Sequence, residues 1–314
     1  MSNNEVPSLQ KDGRSILLNQ RNLSSIMTDL KLLFKANVLT ANVLPVFAGF
    51  WLALYFTNSS LSSNMDILLL TIFGSTMVIA GALALNNWYD VDIDTVMDRT
   101  KNRPTVTGNF SLKQVLTIGI SLTIVGFILL LFTTFEAAIY GFVGWFTYCF
   151  PYTMWSKRKY TFNTIIGSVS GAVTPLIGWT AIAPGFQKVP MIMFLILFIF
   201  QMPHTFAIAI KKFKEYKAAG VAMLPVVRGL SVTKRQMVMY IACLFPLPFF
   251  LDSLGTTFVV IATLLNAGWL VVSISGFFIK DNLKWAQVNF LYSVNYITII
   301  FLMMIVVTLP IFHR

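Results

Sequence analysis

Charge and cysteine are both scarce in this chain: only 11% of its 314 residues are Asp, Glu, Lys or Arg, and two are Cys. The shortage of charge excludes an ordinary soluble domain, in which about a quarter of the residues are charged. Cys149 and Cys243 lie within apolar runs and lack metal-ligand spacing, which excludes a disulfide framework or zinc site and leaves them as core residues. Residues 1–30 are polar, without the short apolar core and cleavage site of a secretory signal. They are expected to form a poorly ordered cytoplasmic tail before a single membrane domain, 31–314. What fills that domain is apolar: the chain is 56% hydrophobic with a mean hydropathy of +0.74, which marks an all-α integral membrane protein. The net charge of +11 is read as topology, with the bilayer as partner and no nucleic acid.

Nine apolar stretches are long enough to span a bilayer: 38–57, 67–88, 114–134, 136–155, 163–183, 190–210, 236–252, 256–278 and 287–310. Lys and Arg collect in alternate connections, as the positive-inside rule requires. Lys11, Arg14, Arg21, Lys31 and Lys35 precede the first span, Lys157, Arg158 and Lys159 follow the fourth, and Lys280 and Lys284 follow the eighth. Only Lys188 and Arg314 fall on the opposite side. The expectation is an N-terminus inside, a C-terminus outside and, with no organelle targeting segment, a bacterial plasma membrane.

The second span ends in NNWYDVDIDTVMDRTKNRP, residues 86–104. Asn86, Asp90, Asp94 and Asp98 fall four apart, and each step of four turns a helix only ~40° past a full circle, so they share one face. Stacked carboxylates at a membrane boundary need a divalent cation or another cationic partner. Arg99, Lys101 and Arg103 follow and offer that partner's anion further contacts. This is the pattern of a diphosphate site bridged by magnesium, with Asn87 and Asp92 off the main face.

Two further stretches carry polar groups at membrane depth. In QMPHTFAIAIKKFKEYKAAGVAMLP, residues 201–225, Pro203 loosens the sixth span beside His204. A histidine there can bind a metal, move a proton, meet an acidic group or pack with a hydrogen bond. Lys211 and Lys212 suit anionic groups but also obey the topology rule. In YTMWSKRKYTFNTIIGSVSGAVTPLIGW, residues 152–179, the basic run reads as an inside anchor, the Gly and Ala positions as close helix contacts, and Pro175 as a bend. Asn163 there is either a substrate contact or a capping or loop residue.

These three stretches resemble the UbiA-type intramembrane prenyltransferases and, within them, the heme-farnesylating branch. The resemblance implies a nine-helix bundle around a central cavity, with Asn86, Asp90 and Asp94 as the catalytic magnesium site, Asp98 extending it, and Arg99, Lys101 and Arg103 holding the diphosphate. Lys35 is similar to a lysine often found before the first span and Asn42 to a polar residue within it. Glu215 stands where the heme branch has an acidic residue. Gln201 and His204 replace the second aspartate motif of the superfamily, which points away from phenolic acceptors. The implied reaction joins farnesyl diphosphate to the vinyl group of heme B, with His204 meeting the iron or a propionate. It also implies an association with heme A synthase. A quinone or phenol prenyltransferase is the alternative within the family. A transporter, the alternative outside it, would carry its carboxylates near the midplane.

Overall fold

The computed structural model describes residues 23–309. Most of the expected tail, with Lys11, Arg14 and Arg21, lies outside the described residues, as does Arg314. The described chain is helical throughout: α1 (Leu23–Leu33), α2 (Ala36–Phe56), α3 (Met65–Tyr89), α4 (Val91–Val96), α5 (Pro104–Thr107), α6 (Leu112–Leu131), α7 (Phe135–Thr147), α8 (Asn163–Ala172), α9 (Thr174–Thr180), α10 (Lys188–Lys211), α11 (Phe213–Ala218), α12 (Leu224–Cys243), α13 (Thr256–Ile274) and α14 (Asn282–Val306). The end of the expected tail is α1, whose Leu33 is buried and whose buried Asp29 accepts from Asn109 at 3.1 Å.

Seven helices among the described residues, α2, α3, α6, α10, α12, α13 and α14, are long and apolar enough to cross a membrane. Leu131, Leu264 and Val271 are exposed on these helices, as lipid-facing side chains are. The fourth and fifth expected spans differ: both are interrupted helices. In the fourth, α7 widens into a π-helix, Tyr148–Ser156, around Pro151, which has no N–H to continue the α ladder. In the fifth, α8 ends at Ala172 and α9 restarts with Pro175 in its first turn. The seventh begins earlier than expected, at Leu224, because α12 continues across a kink at Gly229 (φ 80°).

Small residues set the packing. A Cβ on Gly178 would collide with the backbone carbonyl of Val46, so α9 lies directly against α2. On Gly126 it would meet Gly74 O at 2.7 Å, so α3 and α6 touch backbone to backbone. Larger side chains fill the space between α10, α13 and α14, where Met193, Phe258, Trp269, Tyr296 and Phe301 form the main core. Side-chain caps give sharp helix starts: Ser111 and Gln114 form a reciprocal cap on α6, and Asp281 accepts from Leu283 N and Lys284 N on α14.

Candidate active site

The face expected from the four-residue spacing is present for three of its members. Asp90 caps α3, its N–H reaching Asn86 O at 2.9 Å, and Asp94 N reaches Asp90 O at 2.9 Å, so the helical register runs on into α4. Asn86, Asp90 and Asp94 are buried, and Asn86 Nδ2 donates to Asp90 Oδ2 at 2.7 Å and Thr153 Oγ1 at 3.0 Å. Cations close around them. Lys157 pairs with Asp90 and Arg103 with Asp94, while Lys35 donates to Asn86 Oδ1 and to the Tyr148 hydroxyl. Lys35 sits in the left-handed region (φ 46°), the turn that aims it inward from between α1 and α2. Burial of its ammonium, with Arg103 and Lys157 close by, holds it well below the usual lysine range. A group disfavoured as a cation in this way is one that an incoming anion stabilises.

The fourth member departs. The helix stops at Val96, and Met97 turns extended (φ −96°, ψ 126°) to bury its side chain beside Ile93, Tyr216 and Met223. Asp98 is therefore carried off the face to the surface, where it pairs with Lys101 at 2.8 Å. Arg99 is exposed, its amide 3.5 Å from Glu215 Oε2. Thr100 Oγ1 donates to Asp94 O at 3.0 Å, and the turn it closes returns only Arg103 to the cluster. Of the three expected cations, Arg99 and Lys101 stay outside. Asn87 instead ties α3 to α1 through Leu33 O at 2.6 Å.

The residues that the sequence reading missed come from the π-helix. It supplies Thr153 and Tyr148 and delivers Lys157 and Arg158, whose guanidinium lies 3.5 Å from Asp90 Oδ1 and pairs with Asp92 at 2.6 Å. Their basic run is indistinguishable from a topology anchor by composition. The one available signal was the proline just before it. Tyr148 also borders an apolar chamber between α2, α3, α7 and α9, with about 490 Å³ of empty space including its open mouth; Asn42, Ala82, Trp145, Thr174 and Ile177 line it. Asn42 donates to Val38 O at 2.8 Å within its own helix.

The sixth-span residues form a second cluster. Gln201 Nε2 donates to Leu197 O at 2.9 Å and Ser168 O at 3.1 Å, tying α10 to α8. His204 Nδ1 lies 2.8 Å from Ser293 Oγ on α14, and its ring stacks on Phe200 and packs beside Phe290. Lys211 lies 4.1 Å from the centre of the Phe290 ring, and Lys212 pairs with Glu215 at 2.7 Å. Asn163 joins two loops at the start of α8: its amide donates to Tyr160 O at 2.7 Å and Ala222 O at 3.0 Å.

The chain matches the model of the UbiA prenyltransferase family over residues 42–294. The chain belongs to the UbiA prenyltransferase family. It is 55% identical to protoheme IX farnesyltransferase of Oceanobacillus iheyensis, over 96% of each chain. It is 52% identical to protoheme IX farnesyltransferase 2 of Bacillus subtilis, over 90% of this chain and 92% of that one. Among solved structures, its fold is similar to that of a digeranylgeranylglyceryl phosphate synthase (TM-score 0.71, 19% identity, 90% of this chain and 98% of that one). It is also similar to a UbiA homolog from Archaeoglobus fulgidus bound to GPP and Mg2+ (TM-score 0.63, 15% identity, 88% of this chain and 99% of that one).

As a member of the UbiA family, the protein is a multi-pass membrane prenyltransferase. Its cluster fits a hard divalent cation. No group of three or more His, Cys, Asp or Glu occurs among the described residues, but magnesium is typically held by one or two carboxylates plus substrate phosphates. Asp90, Asp94 and the Asn86 amide oxygen offer such donors. Asp90 Oδ1 is buried and accepts no hydrogen bond among the described residues. Four cations, Lys35, Arg103, Lys157 and Arg158, face three carboxylates, Asp90, Asp92 and Asp94. That surplus suits a polyanion arriving with its metal.

Proposed function

We propose that the protein transfers the farnesyl group of farnesyl diphosphate to a vinyl group of heme B, with water adding to give the hydroxyethylfarnesyl chain of heme O and free diphosphate. The observation that carries this reading is the continuity of two environments at Tyr148: a buried ionic cluster on one side, an apolar chamber on the other. An allylic diphosphate is amphipathic in the same way. The heme acceptor is supported by relatives at more than 50% identity named protoheme IX farnesyltransferase.

Asp90, Asp94 and Asn86 would hold magnesium, which would supply charge neutralisation for the leaving diphosphate. Lys35, Arg103 and Lys157 hold the diphosphate oxygens and stabilise the charge that develops as the allylic C–O bond breaks. The chamber takes the isoprenoid chain and keeps water from the cation until the vinyl carbon attacks. His204 contacts the heme, at the iron or at a propionate. The placement of Lys and Arg supports a plasma membrane protein with its N-terminus and this site on the cytoplasmic side. Association with heme A synthase would pass the product on.

The test is an assay of purified protein with farnesyl diphosphate, magnesium and heme B, reading pyrophosphate release and heme O. Turnover with heme B and none with 4-hydroxybenzoate is expected. The reverse preference refutes the acceptor.

A further inference from the structure

A wide groove opens at the polar end of α10, bounded by α11, the start of α12 and the start of α14, with about 1520 Å³ of empty space including its mouth. Its walls combine two chemistries. Lys211, Lys212 and Lys214 stand along one side, and Leu230 and Leu283 lie on the other. Of the two carboxylates at its edge, Glu215 is engaged by Lys212 and Asp98 by Lys101, which leaves Lys211 and Lys214 as surplus positive charge. Asn282 also lines the groove, and its amide NH2 is a donor of the kind an anion accepts from.

Lysines placed only to satisfy topology extend into water. Lys211 does not: its ammonium is held over the Phe290 ring, and His204 packs beside the same ring. His204 precedes Lys211 by seven residues on the same helix, two turns or ~10.5 Å. The groove and the histidine are thus the two ends of one wall formed by α10 and α14. The ligand that matches this wall is flat and apolar, with paired carboxylates on one edge. Heme B carries its two propionates on the edge opposite its vinyl groups.

We infer that the groove is the docking site for the carboxylate edge of the acceptor, with Lys211, Lys214 and Asn282 holding the propionates and Leu230 and Leu283 covering the adjoining apolar rim. The inference rests on the proposed heme acceptor and deepens it. With the propionates at the lysines, His204 is released from that role and faces the iron or the macrocycle. The vinyl edge then points inward, away from the groove.

The experiment compares heme B with its dimethyl ester, which lacks the carboxylates. The full-length protein is placed in nanodiscs of zwitterionic lipid, and both ligands are titrated by their Soret bands. In the double variant Lys211→Gln/Lys214→Gln, heme B binding weakens about tenfold or more while the diester binds as to the unmodified protein. Magnesium-dependent binding of farnesyl diphosphate is unchanged and reports that the variant is folded. Leu230→Trp, which narrows the groove at its apolar rim without touching charge, weakens both porphyrins. Unaltered heme B binding in the double variant overturns the inference, and so does an equal loss of both ligands. If phosphatidylglycerol in the discs removes the difference between variant and unmodified protein, the lysines serve the lipid surface and the inference falls. An unmodified protein that turns over heme B while the double variant binds it normally refutes the groove alone. One that releases no pyrophosphate with heme B refutes the acceptor reading itself.

Discussion

Around Asp90 and Asp94 almost every contact is ionic or a charged hydrogen bond, whereas His204, on α10, has two aromatic rings and one hydroxyl for neighbours. The first arrangement is strongly directional and suits a ligand whose charge changes during reaction. The second recognises a plane and pays little for imprecision in charge. A transferase that joins a charged donor to a flat acceptor can therefore separate its two recognition problems. Substitutions should then act on one ligand at a time.

The largest effect is expected at the ionic cluster. Asp90→Asn or Asp94→Asn should lower turnover by about 10³-fold, as measured by pyrophosphate release, with heme binding in Soret titrations unaltered. A parallel loss of heme affinity would show that the clusters are not separable. Next comes Lys157→Ala, which removes the partner of a buried carboxylate and should cost about 10²-fold in kcat/KM for farnesyl diphosphate. The surface pair supplies its control: Lys101→Ala should stay within about twofold, since exposed ion pairs contribute little. In the aromatic cluster, His204→Ala should weaken heme B about tenfold and leave donor binding intact. If His204→Phe restores that affinity, the ring acts by stacking and not as an iron ligand. The smallest effect belongs to Gln201→Ala, which loses two bonds to backbone carbonyls. It should lower stability by about 1–2 kcal/mol in a thermal melt, with turnover of the remaining folded protein near normal.

The same contrast explains how much of the site could be read from sequence. Asp90 and Asp94 were legible because a period of four survives as long as the helix does. Asp98 was not, because the preference of Met97 for a small buried cluster ends the helix first, and that cluster is completed by residues more than a hundred positions away. Lys157 and Arg158 were hidden by the positive-inside rule: basic residues beside a span have a topological reason to be there. The bond from Asn163 to a carbonyl in another loop has no signature in the local sequence. For the fold, apolar composition located the seven long helices, though it began the seventh expected span at 236 and not at Leu224, and composition does not see whether hydrogen bonds continue through a span. Pro151 and the break before Pro175 turn two of the nine expected spans into interrupted helices.

The wide-turned segment Tyr148–Ser156 has one more implication, which concerns insertion and deletion. A helix that carries an extra residue per turn is out of phase with an ordinary one by about 100° beyond that point. Shortening this segment by one residue would keep its composition, its length across the bilayer and most of its lipid contact. It would also swing Lys157 and Arg158 away from the aspartates, disarming the donor site with no substitution in it. Along this stretch, the count of residues is under tighter constraint than their identity.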